Sequence, residues 1–349
     1  MGTVGQLLRS PRTRGFLSAC VSVLVLGGVA WWASRQKAPE FPTSLRGIAL
    51  VIAGIGLYAV ATLLRGLRWH FVLRKANVAH RASDAQGLVT VGYMGNNVLP
   101  ARGGEVLRVL LLADRSSATR REVVGSIVGE RLLDVAALSA MLAVLTWTGL
   151  GGATEGRMPA AVGVLLIVAG AVTVSAYLRL RDRRRMQRFA EFMRPFARAS
   201  RRMLDRGGLG LVVLSIGIWT IEGVIFYLVG RAIGAGLSVP GGIFIVVLAS
   251  FFALIPAAPG YVGTFDAAVL FGLSALSIKG GVAVSFAVLV RFILFVPITV
   301  TGFALMMTRY GGLALLRRRR LARGALVQEP VGLALAEPER AYGTRASGR

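Results

Sequence analysis

The chain has 349 residues, of which 55% are hydrophobic and 16% are charged, and its mean hydropathy is +0.66. Soluble domains carry roughly 25% charged residues, so this composition excludes an ordinary soluble protein and predicts an all-α polytopic membrane protein. The single cysteine, Cys20, excludes an intramolecular disulfide, and two histidines, His70 and His80, are too few for a metal site, so we expect neither a metal nor another cofactor.

The formal net charge is +25, which in a soluble protein would favour nucleic acid as a ligand. Here the basic residues fall in blocks between apolar runs, as the positive-inside rule describes, and such blocks attract anionic lipid headgroups. We therefore expect membrane lipids, and not nucleic acid, to be the partners of the basic surface.

The first apolar run, residues 16–33, follows a basic segment, residues 1–15, and ends in an aromatic interface anchor, Trp31-Trp32. A cleaved signal peptide is the alternative, but its apolar region would be shorter and would precede a small-residue cleavage site. We expect a retained span with a cytoplasmic N-terminus. The second run, residues 45–64, returns to a basic block that begins at Arg65.

Residues 84–112 lie between that block and the next basic cluster, so both ends of this segment are predicted on the cytoplasmic side. The segment consists of two apolar halves separated by helix-breaking residues, which predicts a re-entrant helical hairpin with the break at its tip. The residues of this break include Asn97, Pro100, Gly103 and Gly104.

The middle of the chain continues the crossing pattern. Residues 122–150 are long enough to cross outward, and residues 160–178 return. The next block is rich in arginine, and its apolar residues recur at helical spacing. Residues 183–206 are therefore predicted to form a basic amphipathic helix on the cytoplasmic surface.

Residues 208–233 are predicted to cross outward, and residues 240–279 again contain two apolar halves around a break. This second segment predicts a re-entrant hairpin entered from outside. Residues 281–308 then return, and residues 309–349 are expected to form a basic, disordered cytoplasmic tail. The second break contains Pro256, Pro259, Gly260 and Gly263.

Residues 16–308 are thus predicted to hold about six full transmembrane helices and two re-entrant hairpins. A hairpin followed by one long span occurs twice, once from each face, which suggests an inverted repeat of the kind that places transporter sites at the midplane. The alternative is eight ordinary spans, with both hairpins crossing fully.

Polar side chains predicted inside the membrane form the candidate site. A charge near the bilayer centre costs roughly 2.5–3.5 kcal/mol on insertion scales, so each one needs a partner or a function. The candidates are Asn97, Arg102, Glu105, Arg108, Glu130, Arg131, Asp134, Glu222, Asp266 and Arg291.

Two interpretations of the first seven candidates stay open. In the first, Glu130 or Asp134 pairs with Arg102 or Arg108 and locks the hairpin to the following span. In the second, at least one arginine is left to bind an anion, because the guanidinium fork suits a phosphate.

Three further candidates lie in the second half. Glu222 is expected either to pair with Arg291 or to act as an acid coupled to protons or substrate. Asp266 follows the second break and is expected to cap the half-helix that begins there.

Three stretches, "NNVLPARGGEVLR" (96–108), "GERLLD" (129–134) and "PAAPGYVGTFD" (256–266), resemble the motifs of the flippase-like membrane domain family, which is the transmembrane region of lysylphosphatidylglycerol synthases. The resemblance implies translocation of a phospholipid or polyprenyl-linked lipid headgroup between leaflets of a cell membrane. Bifunctional family members carry an aminoacyl-transferase domain after the membrane part, whereas only residues 309–349 follow the last predicted span here. We therefore expect a stand-alone member that is not itself an enzyme.

The leading hypothesis is a flippase-like lipid transporter in a bacterial plasma membrane, with both termini in the cytoplasm. The two hairpin tips would meet and form a polar cavity for an anionic headgroup. No phosphate-binding loop of the G-x-x-x-x-G-K-[ST] type is present, so a gradient or equilibration would drive transport. A homo-oligomer and a separate partner enzyme are both compatible with this role. Arg102, Arg108 and Arg131 would hold the anion, and Glu105, Glu130 and Asp134 would position them.

The alternatives come from other classes of protein. One is a membrane scaffold or regulatory partner whose basic loops recruit other proteins. The other is a lipid-modifying enzyme, for which the sequence offers carboxylates but no histidine within the membrane and no nucleophile motif.

Overall fold

The computed structural model describes residues 41–99, 102–149, 206–253 and 259–311, and in these ranges every regular element is helical. Several predictions lie outside the described residues: the segment 1–15, the span 16–33, the return span 160–178, nearly all of the amphipathic helix 183–206, most of the tail, and Pro100 and Pro256 of the two breaks. The elements are α1 (Leu45–Lys75), α2 (Ala82–Val98), α3 (Gly103–Ala113), α4 (Arg120–Thr148), α5 (Arg206–Ala232), α6 (Val239–Phe252), a 3-10 turn (Pro259–Tyr261), α7 (Thr264–Ala275) and α8 (Gly281–Thr308).

The chain divides into two compact units, one up to Leu305 and one from Met306 onward. The described part of the second unit is the last turn of α8 and the residues up to Gly311.

Three of the described helices are long and apolar enough to cross a membrane: α1, Gly207–Ala232 within α5, and α8. They contain 31, 26 and 28 residues, and about 20 suffice to span the hydrocarbon core. α4 is similarly long, with 29 residues, and carries Glu130, Arg131 and Asp134. The helical class predicted from the composition is therefore confirmed.

The distribution of polarity is the reverse of that in a soluble protein. Large apolar side chains are exposed on the outer faces of the long helices, including Ile52 at 62% and Val300 at 64%. Charged side chains such as Arg68, Glu130 and Asp134 are buried instead. This arrangement suits a lipid environment, where an apolar surface carries no penalty and a buried charge needs a partner.

α1 extends beyond the predicted span, which ended at residue 64. The Ser44 side chain accepts a hydrogen bond from the backbone N–H of Gly47 at 3.1 Å and caps the start of the helix. The helix then continues to Lys75 and includes Arg65 and Arg68, both almost fully buried. These two arginines, which the sequence groups with the cytoplasmic basic block, are buried because the helix carries them on against α4 and α5.

α2 and α3 form a hairpin whose arms pack through glycines. A Cβ atom on Gly104 would lie only 2.6 Å from the backbone nitrogen of Asn96. Small residues allow this close approach of helix backbones. At the open end of the hairpin, Arg115 lies 3.7 Å from the Asp84 carboxylate, so the two ends of the segment stay together.

α6 and α7 form a second hairpin with a left-handed turn between its arms. Gly260 and Tyr261 have φ angles of 66° and 53°, and the chain then enters α7. The Asp266 carboxylate accepts a hydrogen bond from the backbone N–H of Gly263 at 3.0 Å. The cap predicted for Asp266 is therefore confirmed.

The apolar core lies among α1, α5, α6, α7 and α8. It holds fully buried aromatic and aliphatic side chains, among them Phe226, Phe244 and Phe286. The Phe226 and Phe286 rings meet edge to face with centroids 5.8 Å apart. This core fixes the second hairpin against the long helices, while the first hairpin packs on α1 and α4.

Candidate functional site

The breaks of the two hairpins lie against each other. Arg102 stands at the first break and donates a hydrogen bond from Nη2 to the carbonyl oxygen of Ala253, at the end of α6, at 2.6 Å. Its guanidinium carbon also lies 5.8 Å from the centre of the Tyr261 ring, on the second break. In the described residues, the two breaks are therefore in contact.

Arg102 and Tyr261 share an uncommon backbone conformation. Their φ angles are 57° and 53°, in the left-handed region that side chains other than glycine rarely adopt. Each residue turns the chain into the second half of its hairpin. Such strained positions cluster at ligand sites, where the surrounding structure holds them in place.

Between the tips and the long helices lies a cavity of about 140 Å³. A cavity needs roughly 10–15 Å³ to hold one water, so this cavity is large enough for a small polar group such as a phosphate. Five of the predicted site residues line it: Asn97, Arg102, Arg131, Asp134 and Glu222. Its other lining residues include Tyr58, Arg65, Tyr93, Trp219 and Tyr261.

Asn97 ties the first tip to α8. Its side-chain Nδ2 donates to the Thr299 hydroxyl at 2.9 Å and to the Phe295 carbonyl at 3.5 Å. The α8 helix contains Pro297 between these partners, and proline removes one backbone donor from a helix. Asn97 therefore contacts α8 at the point where its hydrogen-bond ladder is interrupted.

Next to the cavity, side chains of α1, α4 and the first hairpin form a network of ion pairs that we call the charged cluster. It contains four guanidinium groups and three carboxylates, so one positive charge is in excess. The members are Arg68, Arg102, Arg108, Arg131, Glu105, Glu130 and Asp134.

The deep half of the charged cluster is almost completely buried. Arg108 lies 2.5 Å from Glu130, which is one of the predicted pairings. The ring of Trp69 covers the Arg108 guanidinium, with 3.9 Å from the guanidinium carbon to the ring centre. Arg68 lies 2.6 Å from Asp134 and 3.6 Å from Glu130. These side chains lock α1, α3 and α4 together, and Arg108 does not line the cavity.

The open half of the charged cluster faces the cavity. Arg131 contacts Glu105 and Asp134, each at 3.1 Å, and Arg102 lies 3.6 Å from Glu105. The side chains of Arg102 and Arg131 are 27% and 30% exposed, whereas those of Arg68 and Arg108 are 2% and 4% exposed. Two arginines of the cluster therefore remain accessible.

The predicted pair between Glu222 and Arg291 is wrong. Glu222 on α5 faces α1, where its Oε1 accepts a hydrogen bond from Arg65 Nη2 at 2.6 Å. Arg291 on α8 faces the start of α7 and donates to Asp266 at 2.8 Å and to the Gly260 carbonyl at 3.2 Å. Glu222 thus pairs with an arginine of α1, and Arg291 pairs with a carboxylate of α7.

Sequence reasoning missed Arg65, which lines the cavity, and Arg68, which holds Asp134. A signal for both was present: in "LLRGLRW" the two arginines are three residues apart, and this spacing puts them on one helix face. Reasoning also missed Trp219, whose Nε1 donates to Asp134 at 3.1 Å. A tryptophan is uncharged, so within an apolar run the sequence does not distinguish it as a site residue.

Five candidates do not line the cavity: Glu105, Arg108, Glu130, Asp266 and Arg291. Glu105 reaches it only through Arg102 and Arg131. Within the described part of the chain, no three His, Cys, Asp or Glu side chains lie close enough to hold a metal ion.

Comparison with known proteins gives one family and several distant relatives. A family model described as the lysylphosphatidylglycerol synthase TM region matches residues 19–302. The chain is 23% identical to a UPF0104 membrane protein of Methanothermobacter thermautotrophicus, over 83% of this chain and 92% of that protein. It is 22% identical to the UPF0104 membrane protein MJ1078 of Methanocaldococcus jannaschii, over 59% of this chain and 90% of that one.

A further relative is the glycosyltransferase AglD of Haloferax volcanii. The identity is 23% over 66% of this chain, and the match spans 44% of the length of that protein. No solved structure matches the chain.

Proposed function

We propose, since the chain belongs to the family of the lysylphosphatidylglycerol synthase transmembrane region, that it moves an anionic lipid headgroup between the leaflets of a cell membrane. The candidate headgroups are those of phospholipids and of polyprenyl-linked lipids. The observation that carries the proposal is the cavity at the meeting of the two hairpin tips, which is lined by accessible arginines of a cluster with one excess positive charge.

The lengths of three of the four hairpin arms support a re-entrant topology, and the fourth arm, α2, has 17 residues. α3 has 11 residues, α6 has 14 and α7 has 12, which correspond to roughly 16, 21 and 18 Å at about 1.5 Å per residue. The hydrocarbon core is about 30 Å thick, so these arms reach only part of the way through it. Among the described tip residues, Arg102, Ala253 and Tyr261 line the cavity, and irregular backbone at membrane depth requires such contact with protein or a polar cavity.

In the proposed membrane arrangement, the described helices and the residues outside them give six full spans and two hairpins, with both termini in the cytoplasm. The hairpins enter from opposite faces, and their tips meet near the midplane. A polar headgroup would then cross the centre inside the cavity, while its acyl chains stay in the surrounding lipid.

The open half of the charged cluster is suited to bind the headgroup phosphate. Arg131 can turn its fork toward a phosphate oxygen while Asp134 keeps its pairing with Arg68. Arg102 can do the same while Glu105 keeps its contact with Arg131. Charge-assisted hydrogen bonds from the arginines take the place of the water around the phosphate. They lower the free-energy cost of moving the headgroup through the membrane centre. No bond is made or broken in this step, so we propose a transporter and not an enzyme.

A leaflet-exchange assay tests the proposal. The protein is reconstituted into vesicles with phosphatidylglycerol, phosphatidic acid or a polyprenyl phosphate that carries a fluorophore on its chain. Dithionite, which bleaches only the outer leaflet, should remove more than the outer half of the signal for at least one of these lipids. The Arg131→Gln variant should lose this exchange, because it removes the most accessible cation of the cluster.

The matched control is Arg46→Gln, which changes an exposed arginine of α1 away from the cavity. It should exchange lipid at the wild-type rate. An unchanged leaflet distribution with all three lipids would count against transport, and equal rates for Arg131→Gln and wild type would remove the charged cluster from the mechanism.

A further inference from the structure

Arg65 is a cavity residue that neither the motifs nor the family resemblance assigns. It lies in the third quarter of α1, its side chain is 3% exposed, and it lines the same cavity as Arg102 and Arg131. It does not belong to the charged cluster, because its ion pair is with Glu222 on α5.

Half of the Arg65 fork is occupied. Nη2 donates to Glu222 Oε1 at 2.6 Å. The rings of Tyr93 and Trp219 lie 5.5 and 5.3 Å from the guanidinium carbon, which places the cation within reach of both aromatic faces. Rings and carboxylate together hold the guanidinium in one orientation at the cavity wall.

The other half of the fork is not used by the protein. Nη1 is buried and has no hydrogen-bond partner among the described residues. A guanidinium has five N–H donors and no means of losing its charge, so a buried Nη1 without an acceptor is costly. Arg65 lines the cavity, so an acceptor bound there would lie beside the guanidinium that carries this unused donor.

The other unsatisfied arginine nitrogens do not meet both conditions. Nε of Arg68 and Nε of Arg108 are also buried without a partner, but neither residue lines the cavity. Arg65 combines a preorganised guanidinium, an unused donor and a place in the cavity wall.

We propose that Arg65 is a direct ligand of the transported anion: Nη1 donates to a phosphate oxygen while Nη2 stays on Glu222. This inference rests on the proposed function and deepens it, since it adds a third cation to Arg102 and Arg131 in the cavity wall. Three guanidinium groups around one cavity select a tetrahedral oxyanion with several acceptor oxygens, such as a phosphate monoester or diester, over a neutral headgroup.

The test uses binding of a short-chain lipid to the purified full-length protein in detergent. The probe is dihexanoyl phosphatidic acid, and dihexanoylglycerol, which lacks the phosphate, is the negative probe. Binding is followed by titration calorimetry and by tryptophan emission, since Trp219 stands beside Arg65. Wild type should bind the first probe and not the second.

The deciding variant is Arg65→Lys. A lysine can keep the charge and the pair with Glu222, but it cannot bridge Glu222 and a phosphate with two parallel N–H groups. Affinity for phosphatidic acid should fall at least tenfold, with a thermal midpoint close to that of wild type. If Arg65 only locks α1 to α5, the affinity of Arg65→Lys should equal that of wild type, and this result would overturn the inference.

A second variant covers the case in which Arg65→Lys folds poorly. Arg65→Gln combined with Glu222→Gln replaces the ion pair by a neutral pair of similar size, and it should also lose at least tenfold in affinity. Wild-type affinity in this variant would overturn the inference as well. The control, Arg231→Gln, changes an exposed arginine on the same helix as Glu222 and should bind as wild type does.

The outcomes separate this inference from the proposed function. If Arg131→Gln loses binding while both Arg65 variants bind normally, the proposed function stands and the role of Arg65 is rejected. If wild type binds neither probe and exchanges no lipid, both fail together.

Discussion

Arg65 and Arg131 line the same cavity, but the loss of each has a different consequence for its neighbours. Both carboxylates that contact Arg131 have a second arginine: Asp134 has Arg68 at 2.6 Å and Glu105 has Arg102 at 3.6 Å. Glu222 makes its ion pair with Arg65, and the described residues give it no other. Loss of Arg65 should therefore lower stability as well as anion binding, whereas loss of Arg131 should affect function without a large loss of stability.

The first prediction compares Arg65→Gln with Arg131→Gln. Arg65→Gln leaves Glu222 buried without its cation, and breaking a buried pair in this way costs about 3–5 kcal/mol. Arg131→Gln leaves no carboxylate without a partner, so its unfolding temperature in detergent should lie close to that of wild type. Thermal unfolding of the two purified variants, followed by the near-ultraviolet circular dichroism of the tryptophans, makes the comparison.

Adding Glu222→Gln to Arg65→Gln should restore much of the lost stability, because it removes the stranded charge. A double variant no more stable than Arg65→Gln would show that Arg65 stabilises the fold through its aromatic contacts and not through the ion pair. An Arg131→Gln variant as unstable as Arg65→Gln would contradict the redundancy of the Asp134 and Glu105 pairings.

At this scale the sequence located most charges, but among their ion-pair partners it offered only Arg108 with Glu130 correctly. Arg102, Arg131, Asp134 and Glu222 were identified because each lies in or beside an apolar run. Arg65 was not identified, because it directly follows the apolar run of residues 45–64. The positive-inside rule assigns a basic residue at that place to the cytoplasmic side of the membrane. Whether a helix stops at the run or carries its next turns into the core depends on the helices packed against it, which a local pattern does not contain.

The hairpins depend on close contact between their arms, and the first one shows this most directly. A Cβ on Gly104 would lie 2.6 Å from the Asn96 backbone nitrogen and 2.7 Å from its side-chain oxygen. One on Gly95 would lie 2.6 Å from the Gly104 Cα. Backbone atoms cannot move aside as a flexible side chain can, so a methyl group here must separate the arms.

The second prediction follows for Gly104→Ala. Overpacking of this kind costs typically about 1–3 kcal/mol, and the separated tip would also move Arg102 away from Ala253. The variant should unfold at a lower temperature and exchange lipid more slowly. The same thermal and leaflet-exchange measurements apply.

The control is Gly56→Ala on α1, where an added Cβ meets nothing within 4 Å. Alanine is favoured over glycine inside a helix by roughly 0.5–1 kcal/mol, so this variant should be as stable as wild type or slightly more so. Tolerance of alanine at position 104 would mean that the arms are not in close contact in the membrane.

At the element scale, sequence and structure agree well on the first hairpin: the predicted segment 84–112 corresponds to α2 and α3 over 82–113. Proline and glycine mark a break through local backbone chemistry, which a sequence reports directly. The contact between the two breaks joins residues that are far apart in the sequence. It rests on contacts such as Arg102 with Ala253 and Tyr261, across more than a hundred residues, and no local pattern encodes them.

On the scale of the whole molecule, each hairpin is followed by a long helix, α4 after the first and α8 after the second. Each of these helices sends an arginine toward a carboxylate on the preceding hairpin: Arg131 to Glu105 and Arg291 to Asp266. Glu105 and Asp266 each lie in the first turn of the second arm. This repeated relation is what an inverted repeat would produce.

The last prediction concerns how the hairpin sits in the membrane. Single cysteines at Ala82 and Ser117, in a Cys20→Ser background, should react with a membrane-impermeant maleimide from the same face. The Asp84–Arg115 contact of 3.7 Å holds the two ends of the hairpin at one level, and arms of 17 and 11 residues return to that level.

A cysteine at Thr43 is the control, because the 31-residue α1 is about 46 Å long at roughly 1.5 Å per residue and separates it from Ala82. Thr43→Cys should label from the opposite face. Labelling of Ala82→Cys and Ser117→Cys from opposite faces would mean that the first hairpin crosses the membrane fully, and the cavity would then not lie between two re-entrant tips.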